Sequence, residues 1–285
     1  MSKTEEIGLE TAAAVQRSFI NESLRLKEPE KFKATKDRIA GQTERLLNLG
    51  FGEVIVITNT APDKVPTEKY LGDFFNHPRV AIREMPVGYS WSNALNLAGT
   101  MIMIANREAR QQGRPTFDYT VNISNEAIAE RWHMEKMLAA MLDPKIAIVG
   151  TSFSGCMERL DGEKYDLSRS TSYSHPRNTL MWIKNAAIGN SPRIFDNRWD
   201  APRGGMEDIN LTLQVVALTD YTYQRLDLGV PLIIGGNYNL KEQTKKEVAE
   251  RIAMDEIIAY WRSLFAPGMP ERIRIDAAIA EMGIE

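Results

Sequence analysis

The run Glu53-Val54-Ile55-Val56-Ile57-Thr58 constrains what this chain can fold into more than any other stretch. It is continuous and β-branched, where a half-exposed strand would alternate apolar and polar residues. Successive strand side chains point to opposite faces, so such a run needs cover on both sides. Covered faces are the condition of a parallel sheet flanked by helices. Asn59-Thr60-Ala61-Pro62-Asp63 follows it as a loop signal. Residues 29–49 read as a helix, with Pro29 near its start, Phe32, Ile39, Leu46 and Leu47 on one face, and Gly50 as its stop. Segments 80–85, 116–124 and 146–153 read as strands, and 66–76, 92–110 and 127–141 as helices. Residues 10–20 stay open between a helix, which their alanines favour, and a first strand. Segment 155–178 reads as a polar excursion and 179–187 as apolar again. Segments 222–226 and 230–234 are strand-like, 241–265 is one long helix, and a short helix lies within 267–285. Strands alternating with helices predict an α/β protein with a mostly parallel central sheet. Ligands are then expected outside the carboxyl ends of the strands, in the loops after Thr58, Met85 and Ile123.

With 285 residues, 43% hydrophobic and 26% charged, the chain can bury a sizeable core. The expected organisation is one domain over 1–240 with a C-terminal helical extension, 241–285, packed on it. A net charge of −3 and a pI near 5.8 argue against broad nucleic-acid binding. The single cysteine, Cys156, excludes an internal disulfide and a multi-cysteine zinc site. His77, His133 and His175 show no metal-ligand spacing. No apolar run approaches the roughly 18 residues that span a bilayer, and the acidic first ten residues lack a signal-peptide apolar region. A cytoplasmic protein is expected.

The stretch 194–215 carries the chemistry most worth following. Arg203-Gly204-Gly205-Met206 is glycine-rich, and Glu207-Asp208 then opens an apolar run containing Ile209, Leu211, Leu213 and Val215. Acids in a first helical turn are favoured by the helix dipole, so a capped helix accounts for this pair without any function. The neighbouring Arg198, Trp199 and Arg203, with a glycine pair that lets backbone approach a ligand, equally describe an acceptor site with a base.

Taken in order, the pieces resemble the family 2-like glycosyltransferases of the GT-A fold. The resemblance is carried by VIVITNTAPD, VGYSWSNALNLAG, FDYTVNISNEA, the GTSF-type strand end and the F-D … G-G-M-E-D segment, over about residues 10 to 240. It implies transfer of a sugar from a nucleotide sugar to a hydroxyl-bearing acceptor, a glycan, lipid or small molecule, with inversion. It also implies a Rossmann-like sheet holding the nucleotide. Asp208, with Glu207 beside it, matches the family's acidic pair, and Asp208 is the implied general base. The implied nucleotide-sugar contacts are Asn59 and Asp63 after the second strand, Gly88, Ser92 and Asn96 around the next helix start, and Ser124, Asn125 and Glu126. On the acceptor side stand Trp199, Arg203, Gly204 and Gly205, with Trp199 suited to stacking on a sugar face. Asn59 also fits an Asn-initiated turn, and Ser92 a helix cap.

The chain departs from the family where the metal should sit. The family's D-x-D triplet falls at Ser124-Asn125-Glu126, and the region of its C-terminal metal histidine reads Ile233-Ile234-Gly235-Gly236-Asn237-Tyr238-Asn239. A divalent cation, Mg²⁺ or Mn²⁺, would have Glu126 as its one carboxylate here. The other readings are a metal-free enzyme, with Arg17, Arg83, Arg177 or Lys184 facing the diphosphate, and a non-catalytic nucleotide- or glycan-binding protein. A nucleotidyltransferase would need a glycine-rich basic phosphate loop near the start, where residues 1–25 hold only Gly8.

Overall fold

A computed structural model describes residues 8–18, 22–60, 76–86, 91–124, 127–154, 156–158, 164–166, 179–188, 206–232 and 240–284. Seven strands form one sheet: β1 (Ala12–Ser18), β2 (Glu53–Thr60), β3 (Val80–Pro86), β4 (Tyr119–Ser124), β5 (Ile146–Ser154), β8 (Leu180–Lys184) and β9 (Thr222–Pro231). Two short strands, β6 (Cys156–Glu158) and β7 (Lys164–Asp166), pair with each other apart from it. The order across the sheet is β3-β2-β1-β4-β8-β5-β9. All neighbours run parallel except β8, which is antiparallel to β4 and β5. Eight helices occur among the described residues: α1 (Glu22–Lys27), α2 (Pro29–Leu49), α3 (Trp91–Gln111), α4 (Arg131–Met141), α5 (Asn185–Ile188), α6 (Glu207–Leu218), α7 (Leu240–Leu264) and α8 (Pro270–Met282).

Period-two alternation sorts the strand side chains into two cores. Ala13, Val15, Ile55, Ile57 and Ile183 join α3, α6, α7 and α8 on one face. Ala12, Ala14, Val54, Val56, Val121, Ile123 and Trp182 join α2 and α4 on the other. Within this stretch Ala12–Ser18 form the strand β1 inside the sheet, because Ala12, Ala13 and Ala14 are wholly buried between two strands and two helix layers. Tertiary burial of this kind overrides alanine's helix propensity. Segments 222–226 and 230–234 are largely one strand, β9, ending at Pro231. Its register against β5 slips between Thr151 and Phe153, near Gly229 at φ 60°, so the glycine accommodates a bulge where the sequence suggested a break. The predicted helix at 66–76 lies almost wholly outside the described residues. Gly50 closes α2 in the left-handed region at φ 100°.

The C-terminal helices bury their apolar faces against the first core. Ile257, Trp261, Ile275 and Ile279 are at most 5% exposed and pack with Leu211, Leu213 and Val215 of α6. Trp261 Nε1 donates to Asn210 Oδ1 of α6 at 2.9 Å. Arg274 of α8 donates through Nε to Val216 O and through Nη2 to Ala217 O, both at 2.9 Å. Those carbonyls belong to the last turn of α6, which leaves acceptors without helical partners. Asp276 of α8 accepts from Arg262 of α7 at 2.7 Å and from Arg272 at 2.8 Å.

Candidate active site

The strand order reverses direction beside β1. From β1 the chain builds outward through β2 and β3, then returns to place β4 on the other side of β1. At such a switch point the connections leave in opposite directions and open a crevice at the strand carboxyl ends. The registers define a row across that edge: Arg83 pairs with Ile57, Ile57 with Arg17, and Arg17 with Ser124. Ser124 N then donates to Thr179 O at 2.8 Å. Arg17 and Ser124 are therefore backbone neighbours at the switch point, and two arginines stand in one row.

Ser124, half-buried, ends β4. Asn125 and Glu126 lie outside the described residues, but the backbone on both sides of them is pinned. Ala127 N donates to Ser124 O at 3.1 Å, Ile128 N donates to Pro231 O at 2.8 Å, and Ala127 bridges Leu232. From below, Gln42 Nε2 donates to Ala127 O at 3.2 Å. Gln16 Nε2, on β1, donates to Ile39 O, and Thr43 Oγ1 donates to the same carbonyl. This buried polar floor of Gln16, Gln42 and Thr43 escaped the sequence reading. Its only signal was three polar residues inside apolar patterns, with Gln16 and Thr43 at 0% exposure.

Asn59 is the penultimate residue of β2, two positions beyond the arginine row. Ser92 is the second residue of α3, which begins just past the carboxyl end of β3, and half-buried Asn96 lies one turn further on. Asp63, Gly88, Trp199, Arg203, Gly204 and Gly205 lie outside the described residues, as does Arg177.

Glu207 and Asp208 open α6, each 7% exposed. The capped-helix expectation is met only in part. Met206 occupies the cap position with no side-chain cap bond, while Asp208 Oδ1 accepts from Ile209 N at 2.8 Å. A backbone N–H on a carboxylate favours its charged form. The connectivity of α6 gives its direction. It ends at Leu218, three residues before β9, whose Thr222 N donates to Lys145 O at the start of β5. The helix therefore ends at the amino edge of the sheet. Its 12 residues rise about 18 Å, close to the span of a six-residue strand. The acidic pair consequently begins α6 on the carboxyl-edge side, the same side as Ser124.

Among the cations considered for the diphosphate, Lys184 is misplaced. It ends antiparallel β8 and pairs with Tyr119, the first residue of β4, at the amino edge. Its Nζ donates to Asp143 O at 2.9 Å, and burial holds its pKa below the ordinary value despite the nearby Asp143. Arg83 is exposed and its Nη1 donates to Ile82 O at 2.7 Å. Ser124, the described residue of the triplet, offers a hydroxyl, and no group of three His, Cys, Asp or Glu side chains able to hold an ion occurs among the described residues.

No protein-family model and no curated protein matches the sequence. Solved structures do match in shape. A mannosyltransferase from Pyrobaculum calidifontis, PcManGT, in complex with GDP-Man and Mn²⁺, superposes with a TM-score of 0.57 at 12% identity. The match covers 95% of this chain and 69% of that one. Residues 1–349 of S. aureus TarS superpose with a TM-score of 0.51 at 10% identity, covering 96% and 71%. At such identities the likeness speaks of fold. The chain has the GT-A-like fold of these glycosyltransferases.

Proposed function

We propose that the protein transfers a sugar from a nucleotide-sugar donor to a hydroxyl-bearing acceptor with inversion, using Asp208 as general base. The observation that carries this reading is the buried Glu207-Asp208 pair opening α6 on the carboxyl-edge side of a GT-A-like sheet, the side where the switch point lies. An isolated solvated cap would have no reason to be 7% exposed.

In this reading the nucleotide rests across the ends of β2 and β1, with Asn59 and Asp63 toward the base. The diphosphate lies over Ser124, Asn125 and Glu126, beside Arg17 and near the N-terminus of α3 with Ser92 and Asn96. A helix N-terminus and a guanidinium both suit phosphate. The acceptor enters over the segment with Trp199, Arg203, Gly204 and Gly205. The Asp208 carboxylate takes the acceptor hydroxyl proton as that oxygen bonds to the anomeric carbon. The bond from that carbon to the diphosphate oxygen breaks, and the nucleoside diphosphate leaves with the electron pair.

The PcManGT complex contains Mn²⁺ with GDP-Man. Here Glu126 is the one carboxylate of the corresponding triplet. Electrostatic stabilisation of the leaving group is therefore assigned to Arg17, which can serve that role without a cation. The test is release of nucleoside diphosphate from a panel of UDP- and GDP-sugars, with and without Mn²⁺, over candidate acceptors. Release that needs an acceptor and falls in Asp208→Asn supports the reading. Full activity in that variant removes Asp208 as the base.

A further inference from the structure

We infer that the amino edge of the sheet carries a second ligand site, for a phosphate-bearing anion, formed between the C-terminal turns of α3 and the junction of β8 with α5. A cavity of about 940 Å³ lies there, lined by Arg107, Arg110, Lys184, Asp118, Phe117 and Ile104 among others. Its volume falls in the range of small-molecule sites, roughly 300–1,000 Å³. The position is remote from the transfer site. Phe117 and Asp118 precede β4 and Lys184 ends antiparallel β8, so the cavity opens at the edge opposite Ser124. Tyr119 and Ser124 are five residue steps apart along β4, about 16 Å.

Charge selects the ligand class. Three cations, Arg107, Arg110 and Lys184, and one acid, Asp118, line this cavity. Arg107 and Arg110 stand three apart on α3, on the same helix face. Neither side chain makes a hydrogen bond or ion pair with another described residue. Two guanidinium forks side by side match the tetrahedral oxygens of phosphate better than a single carboxylate. Lys184 also lines the cavity, its amine donating to Asp143 O at 2.9 Å and lying 5.7 Å from the Tyr221 ring centroid.

The floor is rigid. Asn106 Nδ2 donates to Phe117 O at 2.8 Å, and Phe117 N donates to Asn106 Oδ1 at 2.7 Å. Asn185 Nδ2 donates to the same carbonyl at 2.9 Å, and Thr120 Oγ1 donates to Asn185 Oδ1 at 2.6 Å. These bonds tie α3, β4 and α5 together, so the cation-bearing walls are held before any ligand arrives. Ile104, 54% exposed at the rim, leaves room for an apolar part of the ligand.

The phosphate can belong to a free metabolite or to a lipid headgroup, and two probes separate these sources. Inorganic pyrophosphate is titrated by calorimetry, and vesicles containing phosphatidic acid are pelleted with the protein. Each is run with the wild-type chain, with Arg107→Gln/Arg110→Gln, and with Arg251→Gln, an exposed position on α7, as a control. Both arginines of the double variant are solvent-exposed, so it keeps its fold, which circular dichroism checks. Binding of either probe that weakens at least about tenfold in the double variant, and stays within about twofold in Arg251→Gln, supports the site. No binding of either probe, or binding indifferent to Arg107 and Arg110, overturns it. Donor-site binding of pyrophosphate is recognised by its persistence in the double variant.

Discussion

Replacing Trp261 by Phe tests how the helix bearing Asp208 is held. Trp261 is 5% exposed, and its indole N–H is bonded to Asn210 Oδ1 on α6 at 2.9 Å. Asn210 is 2% exposed, so no water can replace the donor without rearrangement. A buried acceptor left unmatched costs about 1–3 kcal/mol. The smaller ring leaves a void worth on the order of 1–2 kcal/mol more. The expected loss is roughly 2–5 kcal/mol, or about 4–15 °C in Tm for a domain of this size. Urea unfolding of Trp261→Phe, Asn210→Leu and the double variant completes a cycle. Asn210→Leu strands the indole N–H in turn, whereas the double variant buries no unmatched group. The double variant should therefore recover about 1–2 kcal/mol relative to the sum of the singles. Additivity within about 0.5 kcal/mol would refute the claim that this bond seats α7 on α6.

Three further outcomes follow from the same geometry. Arg274→Ala removes both donors to the last carbonyls of α6 and should cost about 1–3 kcal/mol in urea unfolding, with Arg274→Lys intermediate. His133 is 3% exposed, and burial lowers its pKa from 6.5, with Glu130 opposing. The unfolded chain then binds the proton more readily, so this stability is full above pH 6.5 and lost as pH falls through the lower folded value. Its Nδ1 accepts from Glu130 N at 3.0 Å, which requires that nitrogen to be unprotonated, and His133→Gln should flatten unfolding free energy between pH 7.5 and about 5.5 relative to wild type. Arg17→Gln should lower kcat/KM for the nucleotide sugar by about 10²–10³-fold in a coupled assay for the released nucleoside diphosphate; an unchanged value would remove Arg17 from the diphosphate site.

Much of the frame was legible in the sequence because its signals are local. Pro29 and Gly50 bracket α2 as helix chemistry requires, and the β-branched run became β2, buried on both faces. Ala12 to Ala14 could not be assigned, because a strand of alanines is stable only between neighbours that residues 10–20 do not name. The break between 222–226 and 230–234 was misread because a glycine at positive φ makes a bulge within a strand as readily as a turn between two. Of the candidate site, the direction of α6 and the strand ends were predictable from order alone. The arginine row was not, since it depends on register between β1, β2, β3 and β4. Nor was the exclusion of Lys184, which follows from β8 running antiparallel and so placing its end at the amino edge. Gln16 and Gln42 were hidden for a related reason: a buried amide looks like an exposed one until its partners, Ile39 O and Ala127 O, are known.

The account's central claim is sugar transfer with Asp208 as the base. The most direct measurement is NMR of the product formed from an accepted nucleotide α-sugar by the wild-type chain and by Asp208→Asn. The account predicts a β-linked product from the wild type. It predicts a rate reduced about 10²–10⁴-fold in the variant, with donor binding retained. An α-linked product, or a variant that turns over at the wild-type rate, would contradict it.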